Sequence, residues 1–190
     1  MSFRSCLCAA LSMAVLCGTA SVSLADEKKA ADQTISVAEG KITLTAPENW
    51  VRKVPRSRIV EHEFAIPGEK GTDDGRFTVM GASGTVDANV ERWIGQFSQP
   101  DGSATKNKAK TTKKTVGKRE VHVVDIAGTY KDAPGGPFAG GKTIDREDYR
   151  MLAAIIVDPD LGQYFFKFYG PAKLVAKNEK EFLKMIEGAK

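Results

Sequence analysis

From Thr34 onward the chain alternates apolar and polar residues in short runs, interrupted twice by stretches with a helical repeat. Thr34 to Ala38 and Lys41 to Ala46 read as paired strands turning at Glu39-Gly40. In the second, Ile42, Leu44 and Ala46 alternate with Lys41, Thr43 and Thr45, the period of a strand with one buried face. Pro47 to Trp50 breaks the run. Arg58 to Ile66 sets Val60, His62, Phe64 and Ile66 against Ile59, Glu61, Glu63 and Ala65, and Arg76 to Ala82 follows a polar turn. Then the period changes. Val86, Val90, Trp93, Ile94 and Phe97 share one helical face, with Thr85 or Asp87 as cap and Gln99-Pro100-Asp101-Gly102 as stop.

The second half repeats the scheme. Two long strands are predicted at Lys106 to Val116 and Arg119 to Tyr130, turning at Gly117-Lys118. A loop rich in glycine and proline runs from Lys131 to about Arg146, and Tyr149 to Val157 and Gln163 to Tyr169 form a hairpin. A helix from about Glu179 to Ala189 closes the chain, with Asn178 as cap and Phe182, Met185, Ile186 and Ala189 as its apolar stripe. The strand Met151 to Val157 is apolar on both faces, which marks a central strand covered on two sides. The expected fold class is therefore α+β. It is an α/β/α sandwich, a mainly antiparallel sheet covered by a mid-chain helix and a C-terminal helix.

Ahead of this domain the pattern is different. Met1 to Arg4 carries one positive charge, Cys6 to Leu16 is almost wholly apolar, and small residues lead to Ser23-Leu24-Ala25. That order describes a secretory signal peptide over residues 1–25, too short in its apolar part to span a bilayer. Residues 26–33 read as a polar tether and residues 34–190 as a single domain. Cleavage after Ala25 makes the protein periplasmic or secreted. All three cysteines (Cys6, Cys8 and Cys17) precede that point, so the mature chain has neither disulfides nor thiol chemistry. The whole chain carries a formal charge of +4, too little for a general polyanion binder.

Three stretches raise the question of chemistry. Gly136 to Thr143 (GPFAGGKT) fits the phosphate-binding spelling G-x-x-x-x-G-K-[ST]. Such a loop works by leading from a strand into a helix whose first N–H groups hold the phosphates. Here strand-like residues resume within about five positions of Thr143, so no nucleotide is expected to bind. His62 and His122 belong to separate strands, and a metal or small-ligand site needs them to converge with Asp125. Neither is expected to act catalytically, because no Ser-His-Asp set or Gly-x-Ser-x-Gly turn accompanies them.

The strongest charge feature is Lys106 to Arg119, in which seven of fourteen residues are basic and none is acidic. As a strand it would place Lys106, Lys108, Lys110 and Lys114 on one face, with Lys113, Lys118 and Arg119 completing the set. Nearby carboxylates in sequence are few, so these lysines are expected to be solvated and open to an acidic envelope protein or an anionic surface. The lack of interleaved aromatic residues disfavours nucleic acid.

The opening strand ITLTAPENW, the mid-chain helix and the ending YFFKFYGPAKLVAKNEKEFLKMIEGAK resemble the PsbP-like superfamily, over about Thr34 to Lys190. That group includes the photosystem II extrinsic protein and DcrB-like envelope proteins. The resemblance implies an α/β/α sandwich and a non-enzymatic role in protein binding or assembly, without a cofactor. No family residue is carried over, because none matches a position here. The expectation is an exported, non-catalytic envelope protein; the alternative is a small-ligand or metal-binding module using His62 and His122.

Overall fold

The computed structural model describes residues 33–133 and 143–190. Its strands are β1 (Thr34–Val37), β2 (Ile42–Thr45), β3 (Val51–Lys53), β4 (His62–Ile66), β5 (Gly75–Ala82), β6 (Phe97–Ser98), β7 (Lys110–Val116), β8 (Arg119–Asp132), β9 (Ile144–Asp158) and β10 (Gly162–Pro171). The helices are α1 (Val86–Ile94) and α2 (Ala172–Glu187). β1 and β2 form a separate hairpin. The other eight strands make one antiparallel sheet in the order β3-β4-β5-β10-β9-β8-β6, with β7 also paired to β8.

Each face of the sheet has its own core. On one side α2 and the β1–β2 hairpin cover Phe64, Phe77, Leu152, Ala154, Phe166 and Phe168. On the other, Trp93 of α1 packs with Val124, Ile126, Met151, Ala153, Ile155 and Phe165. β9 supplies residues to both, and Met151 to Ile156 are all buried. The sandwich is thus the α+β arrangement that the doubly apolar strand implied.

Local chemistry accounts for several boundaries. Thr85 caps α1, its hydroxyl accepting from the Ala88 N–H. The helix stops at Ile94, and Phe97 serves in β6, where it still packs against Tyr130. β4 begins at His62 and not at Arg58, while Val51–Lys53 forms the edge strand beside it. Pro55, lying between the two, has no N–H to give a ladder. The expected strand from Lys106 starts only at Lys110, because Thr105–Asn107 forms a turn of 3-10 helix. Lys106 and Lys108 therefore leave the strand, and only Lys110 and Lys114 share its α2-side face.

The C-terminal helix is longer than its cap signal suggested. It starts at Ala172, directly after Pro171 at φ −51°, a value already close to helical. Asn178 is consequently interior to the helix. Its Nδ2 donates to the Leu174 carbonyl, and its neighbours Leu174, Val175, Phe182, Met185 and Ile186 are buried beside it. At the other end of the sheet β8 and β9 run further than expected, to Asp132 and from Ile144. A bulge between Gly128 and Tyr130 re-registers them there. No helix among the described residues is long and apolar enough to cross a membrane.

Candidate functional site

The basic hairpin is β7, its turn to β8 and the 3-10 turn before it. β7 lies at an edge: among the described residues it pairs only with β8. The fold pairs its cations both with the carboxylates nearest in sequence, Asp101 and Glu120, and with distant ones from α1, α2 and the β9–β10 turn. Lys106 pairs with Glu91 of α1 at 2.5 Å, Lys108 with Asp101 at 2.6 Å and Lys113 with Glu120 at 2.6 Å. Lys114 reaches Glu187 of α2 at 2.7 Å, and Lys118 bonds Asp160. Lys110 has no such partner among the described residues. The expectation of solvated, unpaired lysines therefore holds for Lys110 only.

These pairs differ in kind. Lys108 and Ser103 hold the Asp101 carboxyl well below its usual range, and hydrogen bonds from Lys113 and His122 lower the Glu120 pKa. Their partners remain exposed, so they are surface contacts of small net worth. Arg119 is another matter. Its side chain is 11% exposed, and its Nε donates to the fully buried Asp158 carboxylate at 2.8 Å. Asp158 also accepts the Asp160 and Leu161 N–H groups, closing the β9–β10 turn. Arg119 is a structural part of the hairpin.

The two histidines do not meet. His62 on β4 registers through Val79, Phe166 and Ala154 with Val123, one residue from His122. Four strand spacings separate them, about 19 Å, and they point to opposite faces of the sheet. His62 accepts from Arg52 at Nδ1 (3.0 Å), and its Nε2–H donates to the Ser36 carbonyl at 2.8 Å. His122 bonds Glu120, while Asp125 is held by Arg150 on the α2 side. The convergence that a metal or ligand site required does not occur. As for GPFAGGKT, its residues 136–142 lie outside the described ones. The chain continues from Thr143 into β9, the antiparallel partner of β8, and not into a helix.

A polar group that sequence reading missed occupies the α1 side of the sheet, beyond the short helix. Glu63 on β4 is buried and accepts two bonds from Arg76 on β5, both at 2.9 Å. Burial alone would raise its pKa; the Arg76 hydrogen bonds and charge outweigh that and lower it. Arg76 Nη1 also donates to the Tyr169 hydroxyl at 2.8 Å. On the same face of β10, Lys167 Nζ donates to Gln96 Oε1 at 2.7 Å and stands 5.0 and 5.5 Å from the Tyr169 and Tyr130 ring centres. Burial and the positive charge of Arg76 and Arg92 bring the Lys167 pKa down to about 7. Tyr149 donates to Asp73 at 2.8 Å, and burial with that bond raises its pKa to about 12. The available signal was Lys167 itself, one cation inside YFFKFYG, on the face opposite Phe166 and Phe168.

The fold defined by these layers is PsbP-like. The chain is similar to the solution structure of cyanobacterial PsbP (CyanoP) from Synechocystis, with a TM-score of 0.50 and 11% identity over 83% of this chain and 91% of that one. A second similar structure is the Ran-binding protein Mog1p of Saccharomyces cerevisiae, at a TM-score of 0.36 and 13% identity over 78% and 82% of the two chains. No family model and no curated protein matches the sequence.

Proposed function

We propose that the chain is an exported, non-catalytic binding module of the cell envelope that meets an acidic protein surface across β7 and its flanking turns. The observation that carries this reading is the β7 edge. Its outer side is unpaired among the described residues, with Lys110 and Lys114 on one face, Lys113 on the other and Lys106, Lys108 and Lys118 beside it. Exposed ion pairs contribute little, so these lysines can exchange their own carboxylates for those of a partner at small cost. The export half of the reading is supported by residues 1–25. Its non-catalytic half is supported by the histidines, which are engaged in separate structural contacts.

The test is retention of envelope proteins, and separately of anionic vesicles, by wild type and by a variant with Lys108, Lys110, Lys113 and Lys114 changed to Gln. Attraction between exposed charges is screened over about 8 Å at physiological salt. Wild type should therefore retain a protein partner at low salt and lose it as salt rises, mainly through slower association. The variant should fold and retain little at either salt. Equal retention by both would reduce β7 to a strand whose lysines only discourage edge-to-edge pairing. Retention of vesicles alone would replace the protein partner with a lipid surface.

A further inference from the structure

The α1 side of the sheet carries a second group of cations, in surroundings unlike those of β7. Lys167 lies between Phe165 and Tyr169 on one face of β10, opposite Ala153 of β9 and Thr78 of β5. These short neighbours leave the space above the strand to the lysine and to the rings of Tyr130 and Tyr169. Every nearby carboxylate is committed elsewhere. Glu63 is held by Arg76, Asp132 by Arg146 at 3.4 Å, and Asp73 by Tyr149 and Arg146. Arg92 of α1 has no carboxylate partner among the described residues either: Nη2 donates to Asn89 Oδ1 at 2.8 Å, and its guanidinium lies over the Phe165 ring at 5.7 Å. Two cations thus stand on one face of the sheet with no ion-paired carboxylate among the described residues, Lys167 beside the Tyr130 and Tyr169 rings and Arg92 over Phe165.

We propose that Lys167, walled by Tyr130 and Tyr169 and flanked by Arg92, is a binding site for a carboxylate presented to the α1 side of the sheet. The site is separate from β7 and does not depend on it. Lys167 supplies a point charge for the carboxylate, and Arg92, over the neighbouring Phe165 ring, adds positive charge on the same face. The Tyr169 hydroxyl accepts from Arg76 and so has its own proton to donate. The neighbouring charges also make the site respond to pH. Arg76 and Arg92 disfavour the ammonium, Asp132 favours it, and Tyr130 is kept protonated chiefly by burial. A bound carboxylate opposes the two guanidiniums, so binding and proton uptake by Lys167 reinforce each other.

Two probes separate the sources of such a carboxylate: succinate for a free small acid, and a blocked hexaglutamate peptide for an acidic segment of a protein. Binding is read by calorimetry at pH 6 and pH 8. The charged fraction of a lysine titrating near 7 falls from about nine-tenths to about one-tenth over that range; with the midpoint of the bound form about one unit higher, affinity should fall about fivefold. Lys167→Met should remove both the binding and its pH dependence, while Lys110→Gln on β7 should keep both. Comparable binding of the two probes identifies a small acid, and binding of the peptide alone identifies a protein segment. The proposal is overturned if neither probe binds wild type saturably, or if Lys167→Met binds them unchanged. Should that variant fail to fold, the wild-type Lys167 Cε resonance decides. Saturating probe should raise its titration midpoint by about one pH unit, and an unmoved midpoint overturns the site.

Discussion

The indole Nε1–H of Trp50 donates to Asn178 Oδ1 at 3.3 Å, a buried bond between residues 128 positions apart. It ties the segment before β3 to the middle of α2. Trp50 also packs against Phe77 and Phe168, at 5.0 and 5.3 Å between ring centres, so the bond fixes the orientation of a large side chain at the heart of the α2-side core.

Asn178→Ala leaves that buried N–H without its acceptor, which costs about 1–3 kcal/mol. The variant should unfold at a lower urea concentration than wild type, with an unchanged slope. A midpoint equal to that of wild type would mean that water or another group takes over the bond.

Glu63 makes stability depend on acid. Its folded pKa lies below the ordinary 4.5, because the Arg76 bonds and charge outweigh burial. A carboxylate depressed in this way contributes stability that is complete above its unfolded value and is lost as pH falls through the folded one. Urea midpoints should accordingly drop below about pH 4.5, and Glu63→Gln should flatten that decline while lowering stability at pH 7. An identical pH profile in both proteins would assign the acid sensitivity to other groups.

Lys142 is expected to play no part in nucleotide binding, because β9 takes the place of the helix such a loop requires. Lys142→Ala should melt with wild type, and ATP with magnesium should leave the melting temperature of both unchanged. A saturable rise in wild type that the substitution abolishes would restore the motif.

Export is read out at the amino terminus. Mass spectrometry of the protein from its native source should find Asp26 at or within a few residues of the start. Intact Met1 in a cytosolic fraction would contradict it.

Much of the fold was legible residue by residue because its signals are local. The alternation in ITLT, the α1 stripe with its Thr85 cap and the doubly apolar MLAAIIV each report burial through a period of two or 3.6 positions. Boundaries were less secure where two local signals competed. Asn178 with Glu181 imitates a helix start, yet Leu174 and Val175 find a core beneath them and the helix extends back to Ala172. Lys106 and Lys108 continue a strand-like alternation, but the Thr105 hydroxyl bonds the Phe97 carbonyl and holds that turn in place.

The amino-acid sequence by itself determined where the apolar faces lie, and with them the antiparallel sandwich. Only the tertiary structure decided which charges meet. Besides the local Asp101 and Glu120, the acids that answer the basic hairpin come from α1, α2 and the β9–β10 turn, and Lys114 and Glu187 are 73 positions apart. The same holds for the histidines, which four strand spacings separate, and for Lys167, which two guanidiniums and two phenol rings surround. Burial of an apolar residue needs any apolar neighbour, so a periodic pattern suffices to announce it. A charge is defined by particular partners within a few ångströms, and chain folding alone brings those together.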